Sequence, residues 1–266
     1  MNGNGFVAKV VPLFSGSKGN CYYIGTSAQG VLIDAGRSCK QIELAMEANG
    51  LSMKNVSALF ITHEHTDHCS AVKVLSRRYG LKVFGSNGTL SAISRGLYPE
   101  TKLEVIESEL ALCDMNIRRI NTPHDAAESC CYCVTASDGK SALIATDMGV
   151  MQPEVRAAAQ NSDFVVLESN HDIDMLRFGE YPYPLKKRIL SDRGHLSNDA
   201  CAAELAEMVK SGTLRLMLGH LSEHNNTPEI AARTAVAALQ KEGMKRNLDF
   251  TLDIAPGEPQ VGAVIF

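Results

Sequence analysis

The sequence predicts an α/β chain folded as two sheets with helices on their outer faces. Three observations carry that prediction. Short apolar strand runs recur from residue 6 to residue 255, with helical segments set between them. Sheets and helices mixed in this way bury their apolar faces best as stacked layers. No Pro-, Gly- or Ser-rich linker, charge block or repeat interrupts the pattern, so one domain over residues 1–266 is expected. The composition, 45% hydrophobic and 21% charged, is that of an ordinary globular chain with enough length for a sizeable core.

The elements follow in order. FVAKVVPLF (6–14) and NCYYIGT (20–26) read as strands around the turn SGSKGN. GVLIDAG is a short apolar strand ending at Asp34. SCKQIELAMEANG reads as a helix, with Ser38 as cap, an apolar stripe through Ile42 and Met46, and Gly50 as stop. VSALFIT is a buried strand, and SAVKVLSRRYG an amphipathic helix beyond it. LKVFGS, EVIESELAL, MNIRRINTP, CCYCVTAS, SALIATD and DFVVLES are further strands, and TLRLMLGH and DFTLDIA are late ones. SNDACAAELAEMVKSG and TPEIAARTAVAALQKEG are helices, the second with Thr227 as cap and Pro228 in its first turn.

The eight cysteines lack the paired C-x₂-C spacing of a structural zinc site, so buried small hydrophobes are expected. Strand alternation sets Cys131 and Cys133 on one face and Cys130 on the other. The net charge of −4 does not advertise a nucleic-acid or membrane partner, so any such partner needs a local basic patch. No apolar run reaches the roughly 18 residues of a membrane span. The N-terminal MNGNGFVAKVV has no basic segment ahead of a long apolar one. No membrane partner and a cytoplasmic location are therefore expected.

ITHEHTDHCSA (61–71) carries the chemistry. If the strand stays extended past Thr62, His63, His65 and Asp67 point the same way, with His68 following at the turn. Four such groups in six residues can serve two adjacent metal ions. His124, Asp147 and His220 each follow an apolar strand, where a rigid scaffold can hold active-site groups. The alternative for each alone is an ordinary surface or core-edge residue.

ITHEHTDH, then His124, ATDMG and LGHLS resemble the metallo-β-lactamase-fold hydrolases, and LIDAG resembles their first strand motif with Asp34 as its aspartate. FSGSKGNCYYI, TPHDAAES, the block from LESNHD to RGHLSN, and LGHLSEHNNTPE look more narrowly like the YycJ/WalJ subfamily. The resemblance implies a four-layer αββα sandwich with metals at one edge of the paired sheets. It implies that His63, His65 and His124 hold one divalent ion (Zn, Mn or Fe), that Asp67, His68 and His220 hold the other, and that Asp147 bridges them.

Paired ions can share one hydroxide and clamp a substrate oxygen, which suits an anionic phosphodiester. His195, in RGHLSN just before a helix cap, resembles a histidine of the superfamily's tRNA-processing nucleases. It is the candidate general acid or phosphate contact, and with Asp67 makes up the catalytic pair; the alternative is a turn histidine bonded to backbone. Asn170 and His171 of ESNHD are candidate substrate contacts, as are Lys187 and Arg188, which with Lys186 and Arg193 could meet DNA phosphates. A solvated helix face is the alternative for those cations. Asp147 and His220 are 73 residues apart, too close for the large inserted cap of the β-CASP nucleases, and His124 and Asp147 are 23 apart, too close for a long tRNA-clamping arm. The resemblance implies a 5′→3′ DNA exonuclease. A thioesterase, lactonase or cyclic phosphodiesterase is the second reading. A non-catalytic regulatory scaffold is the third, and the full ligand set argues against it.

Overall fold

A computed structural model describes residues 8–258, 260–262 and 264–266. In chain order its elements are β1 (Lys9–Phe14), β2 (Cys21–Gly25), β3 (Gly30–Ile33), α1 (Cys39–Ala48), β4 (Val56–Phe60), α2 (Thr66–Cys69), α3 (Val72–Tyr79), β5 (Lys82–Gly85), α4 (Asn87–Ser94), β6 (Leu103–Val105), β7 (Glu109–Leu112) and β8 (Met115–Asn121). The second half holds β9 (Cys130–Ala136), β10 (Ser141–Ala145), α5 (Pro153–Gln160), β11 (Phe164–Glu168), α6 (Ile173–Phe178), α7 (Tyr183–Ile189), α8 (Asn198–Lys210), β12 (Arg215–Gly219), α9 (Pro228–Lys241), β13 (Thr251–Ile254) and β14 (Val264–Ile265).

The strands form two sheets, ordered β14-β1-β2-β3-β4-β5-β6 and β13-β12-β11-β10-β9-β8-β7. Their facing sides share one apolar interior, with Tyr22, Ile33 and Phe60 from the first sheet against Tyr132, Ile144 and Val166 from the second. Outside the first sheet, Ile42, Met46, Val72 and Leu75 of α1 and α3 cover Leu32 and Leu59. Outside the second, Val155, Leu205 and Leu239 of α5, α8 and α9 cover Leu143, Val165 and Leu216. The result is the expected αββα sandwich. It explains why GVLI, SALIA and FVVLE are buried throughout and, but for Ser141 and Glu168 at their ends, apolar: strands covered on both faces cannot alternate. No helix among the described residues is long and apolar enough to cross a membrane.

Two details differ from the sequence reading, and a third falls outside the described residues. EVIESELAL is two strands, β6 pairing with β5 in one sheet and β7 with β8 in the other, because its polar centre is where the chain crosses between sheets. Phe6 and Val7, expected at the start of the first strand, lie outside the described residues. The histidine hexad does not stay extended: His65 caps α2, and Asp67 lies in the first turn of that helix. Cys131 and Cys133 face the helices while Cys130 faces the other sheet, as alternation requires, and all eight cysteines are free thiols.

Candidate metal centre

Strands β3 and β4 of one sheet and β10, β11 and β12 of the other run parallel within their sheets and end at the same edge. Asp34, the hexad, Asp147, Glu168 and His220 stand at or just after those carboxyl ends, where open α/β sheets present ligand sites. Two ties hold the edge together. Thr62 O accepts from Cys130 N at 3.1 Å, and Ser15 Oγ accepts from His220 N at 2.8 Å. Gly36 permits a third close approach. A Cβ there would lie 1.7 Å from the Asp67 carbonyl oxygen, so any side chain would push the hexad away.

Three site residues have left-handed backbones: Asp34 (φ 60), Asp147 (φ 61) and His220 (φ 54). Such conformations cost roughly 1–3 kcal/mol each and persist where the surroundings enforce them.

Four groups of potential ligand atoms lie within 4.8 Å of one another: His63, His65 and His124; His63, His68 and Asp147; Asp67, His68 and His220; and Asp147, Glu168, His195 and His220. Four imidazoles share one orientation. His63 Nδ1 lies 3.0 Å from Thr62 Oγ1, and His68 Nδ1 donates to Asp34 Oδ2 at 2.7 Å. His124 Nδ1 donates to Gly194 O at 3.1 Å, and His220 Nδ1 to Glu168 Oε1 at 2.9 Å. In each case Nε2 is left to face the centre. The Nε2 atoms of His63, His124 and His220 and Oδ2 of Asp147 are buried without a hydrogen-bond partner. Orphaned buried acceptors of this kind are rare unless something fills the space between them, and this donor set fits divalent cations.

The electrostatics agree. Burial pushes His63 well below the ordinary imidazole value and lowers His124 as well, which favours the neutral, nitrogen-donor form of both. Burial would do the same to His68 and His220. Asp147 and Asp34 reverse it for His68, and Asp147, Asp67 and Glu168 raise His220 to about 10. The centre therefore favours positive charge.

Glu168 is the group whose role the sequence left unassigned. It is fully buried at the end of β11. Its Oε1 accepts from both His195 Nδ1 (2.7 Å) and His220 Nδ1, and its Oε2 from Met148 N (3.0 Å) and Leu196 N (3.1 Å). Burial pushes its carboxyl up, but the facing His195 and His220 outweigh that and hold it near 2. The signal was a carboxylate closing an otherwise wholly apolar strand, a place where a charge needs partners. Asn20, inside the first turn, was likewise missed; its Nδ2 lies 3.0 Å from His68 Nε2.

The expected substrate residues divide. His195 is 14% exposed on its side chain and lies between the His124 and His220 rings, 5.0 and 5.3 Å away, at the mouth of the centre. Asn170 and His171, the expected substrate contacts, are both buried. Asn170 Nδ2 instead donates to His220 O at 2.9 Å and so positions that loop. Arg188 is ion-paired with Asp125, beside His124, and Arg193 donates to His124 O, so both brace the His124 loop. Lys187 is exposed.

This fold with this site defines a metallo-β-lactamase-type protein. The family model described as the metallo-beta-lactamase superfamily matches residues 15–220, and the chain belongs to that superfamily and, within it, to the YycJ/WalJ subfamily. Exodeoxyribonuclease YycJ of Bacillus anthracis is 35% identical over 235 residues, 87% of this chain and 89% of that protein. Exodeoxyribonuclease WalJ of Streptococcus pneumoniae is 34% identical over 251 residues, 92% and 93%. The metallo-beta-lactamase fold protein YhfI of Bacillus subtilis superposes with a TM-score of 0.72 at 16% identity, covering 98% of this chain and 100% of that one, a likeness of fold alone.

Proposed function

We propose that the chain is a metal-dependent phosphodiesterase that removes nucleotides from DNA, with 5′→3′ polarity, using two divalent cations. The observation that carries this reading is the inward set of unpartnered Nε2 atoms facing Asp147. His63, His65 and His124 would hold one cation, Asp67, His68 and His220 the other, and Asp147 would touch both. A charge count supports two. Asp34, Asp67, Asp147 and Glu168 bring four negative charges to one edge, which two divalent cations would balance. Zinc, manganese and iron all suit imidazole with carboxylate. Bound there, the cations would supply Lewis acidity and a nucleophilic water at neutral pH.

The chain's own groups do the rest. Glu168 accepts the His195 Nδ1 proton and so fixes the tautomer and the ring plane. As an imidazolium paired with the Glu168 carboxylate, His195 would carry a second proton on Nε2 and could give that one to the leaving sugar oxygen, returning to the neutral Nδ1–H form. Asp34 and Thr62 keep His68 and His63 from turning. The names of the YycJ and WalJ relatives favour DNA over the small thioesters, lactones and cyclic nucleotides that a like centre could hydrolyse.

The test is metal-reconstituted full-length protein with 5′-labelled single- and double-stranded DNA. Stepwise nucleotide release that stops in Asp67→Ala is expected, and blocking the 5′ end should abolish it where blocking the 3′ end does not. Turnover of a thioester or cyclic nucleotide with no DNA cleavage would overturn the reading.

A further inference from the structure

The α6–α7 hairpin leads directly into the loop that carries His195. Its outer side holds a cavity of about 500 Å³ lined by Arg177, Tyr183, Lys186, Lys187, Leu190 and Ser191. Tyr183, Lys186, Lys187 and Leu190 stand at i, i+3, i+4 and i+7, one face of α7, while the buried Ile189 points the other way. The Tyr183 ring is 78% exposed, and Phe178, next to Arg177, is 85% exposed.

The turn that carries Phe178 is held in place. Lys186 Nζ donates to Arg177 O at 2.8 Å and to Gly179 O at 2.7 Å, clamping the turn that carries Phe178. An aromatic ring held open to water on a pinned turn does no packing work for the fold. The groove lining holds three cations and no carboxylate, in a chain whose net charge is −4. Asp174, Glu180 and Asp192 lie in the same stretch of sequence but do not line it. Arg177 and Lys187 have no ion-pair partner among the described residues. The helix that bears the groove also reaches the catalytic edge. Arg188 pairs with Asp125 beside His124, and Leu190 is five residues from His195, at most about 18 Å of chain.

We propose that this groove holds the single-stranded stretch of nucleic acid that enters the metal centre, with Tyr183 and Phe178 stacking bases and Arg177 and Lys187 meeting phosphates. The inference rests on the phosphodiesterase reading and deepens it. Exposed rings interleaved with cations are what a flexible strand needs: every base has a π-face to stack, and the backbone wants positive charge. A flat protein partner would not call for an acid-free lining.

The test compares two nuclease-resistant phosphorothioate strands of equal length, one with bases and one abasic, by fluorescence anisotropy. Both carry the same charge, so only stacking separates them. The wild type should bind the base-containing strand roughly tenfold or more tightly. Phe178→Ala/Tyr183→Ala should lose that preference, and Tyr183→Phe should keep it. Equal affinity of the wild type for the two strands would overturn the proposal. So would sedimentation showing a dimer that Tyr183→Ala dissociates, since the face would then join two copies. Wild-type turnover of bis(p-nitrophenyl) phosphate, too small to span the groove, judges the functional reading separately. Turnover without base preference sinks the groove alone. Base preference without turnover supports the groove and sinks the phosphodiesterase.

Discussion

Asp34 and Glu168 do matching work from opposite sheets, yet their surroundings treat them differently. Each is a buried carboxylate at a strand end that accepts from the Nδ1 of a histidine whose Nε2 faces the centre. Asp34 meets one imidazole, His68, together with Thr62, and burial dominates to raise its pKa. Glu168 meets two imidazoles and two backbone N–H groups, and its pKa falls to about 2. Asp34 thus orients one side of the centre at a cost in stability. Glu168 stabilises the fold and couples His220 to His195, which lies at the mouth. On the proposed reading, one carboxylate would serve binding of a cation alone, whereas the other would tie that binding to proton transfer.

The sharpest break in this scheme is at the group between the two halves. Asp147→Asn keeps a residue that tolerates φ 61 and removes the charge. Activity should drop by more than the 10–100-fold typical of a residue that only orients a ligand, with metal content falling in step. His195→Gln comes next. A rate loss of about 10²–10⁴-fold is expected with metal content unchanged; loss of bound metal would make His195 a ligand instead.

Glu168→Gln and Asp34→Asn should each cost about 10–100-fold, but in different parameters. Glu168→Gln should lower both kcat and metal affinity. Asp34→Asn should weaken metal binding and leave kcat close to wild type once metal saturates. A kcat loss at saturating metal in Asp34→Asn would erase the distinction.

Metal-free protein gives a smaller effect of opposite sign. Glu168, depressed in the folded state, contributes stability that is present above its ordinary value near 4.5 and is lost as pH falls through about 2. Asp34, raised by burial, acts the other way, its contribution falling as pH rises through its elevated value. Urea midpoints at pH 7 should therefore drop in Glu168→Gln and rise in Asp34→Asn. Lys187→Glu is the mildest change, weakening DNA binding and reducing its salt slope by about 1.

Much of this was legible because strand periodicity and ligand type are local. Apolar runs locate β3, β4, β10, β11 and β12, and the polar residues that close them are the site. The short helices α2, α4, α5, α6 and α7 were not legible. α2 has four residues and α7 seven, too few to show a period, and their caps are a histidine and a proline rather than Ser or Asp. Glu168 and Asn20 have roles that exist only when segments far apart in sequence meet. Asn170 and His171 looked like substrate contacts because they are polar and follow a strand, and only the packed loops above them show that they are buried.

On the proposed reading, the orphaned buried atoms form a two-cation centre that drives phosphodiester cleavage. Stripped protein titrated with zinc, manganese or iron, with bound metal and release from 5′-labelled DNA followed together, tests it directly. Activity should climb until about two equivalents per chain are bound. Full activity at one equivalent, or cleavage that persists in chelator, would contradict it.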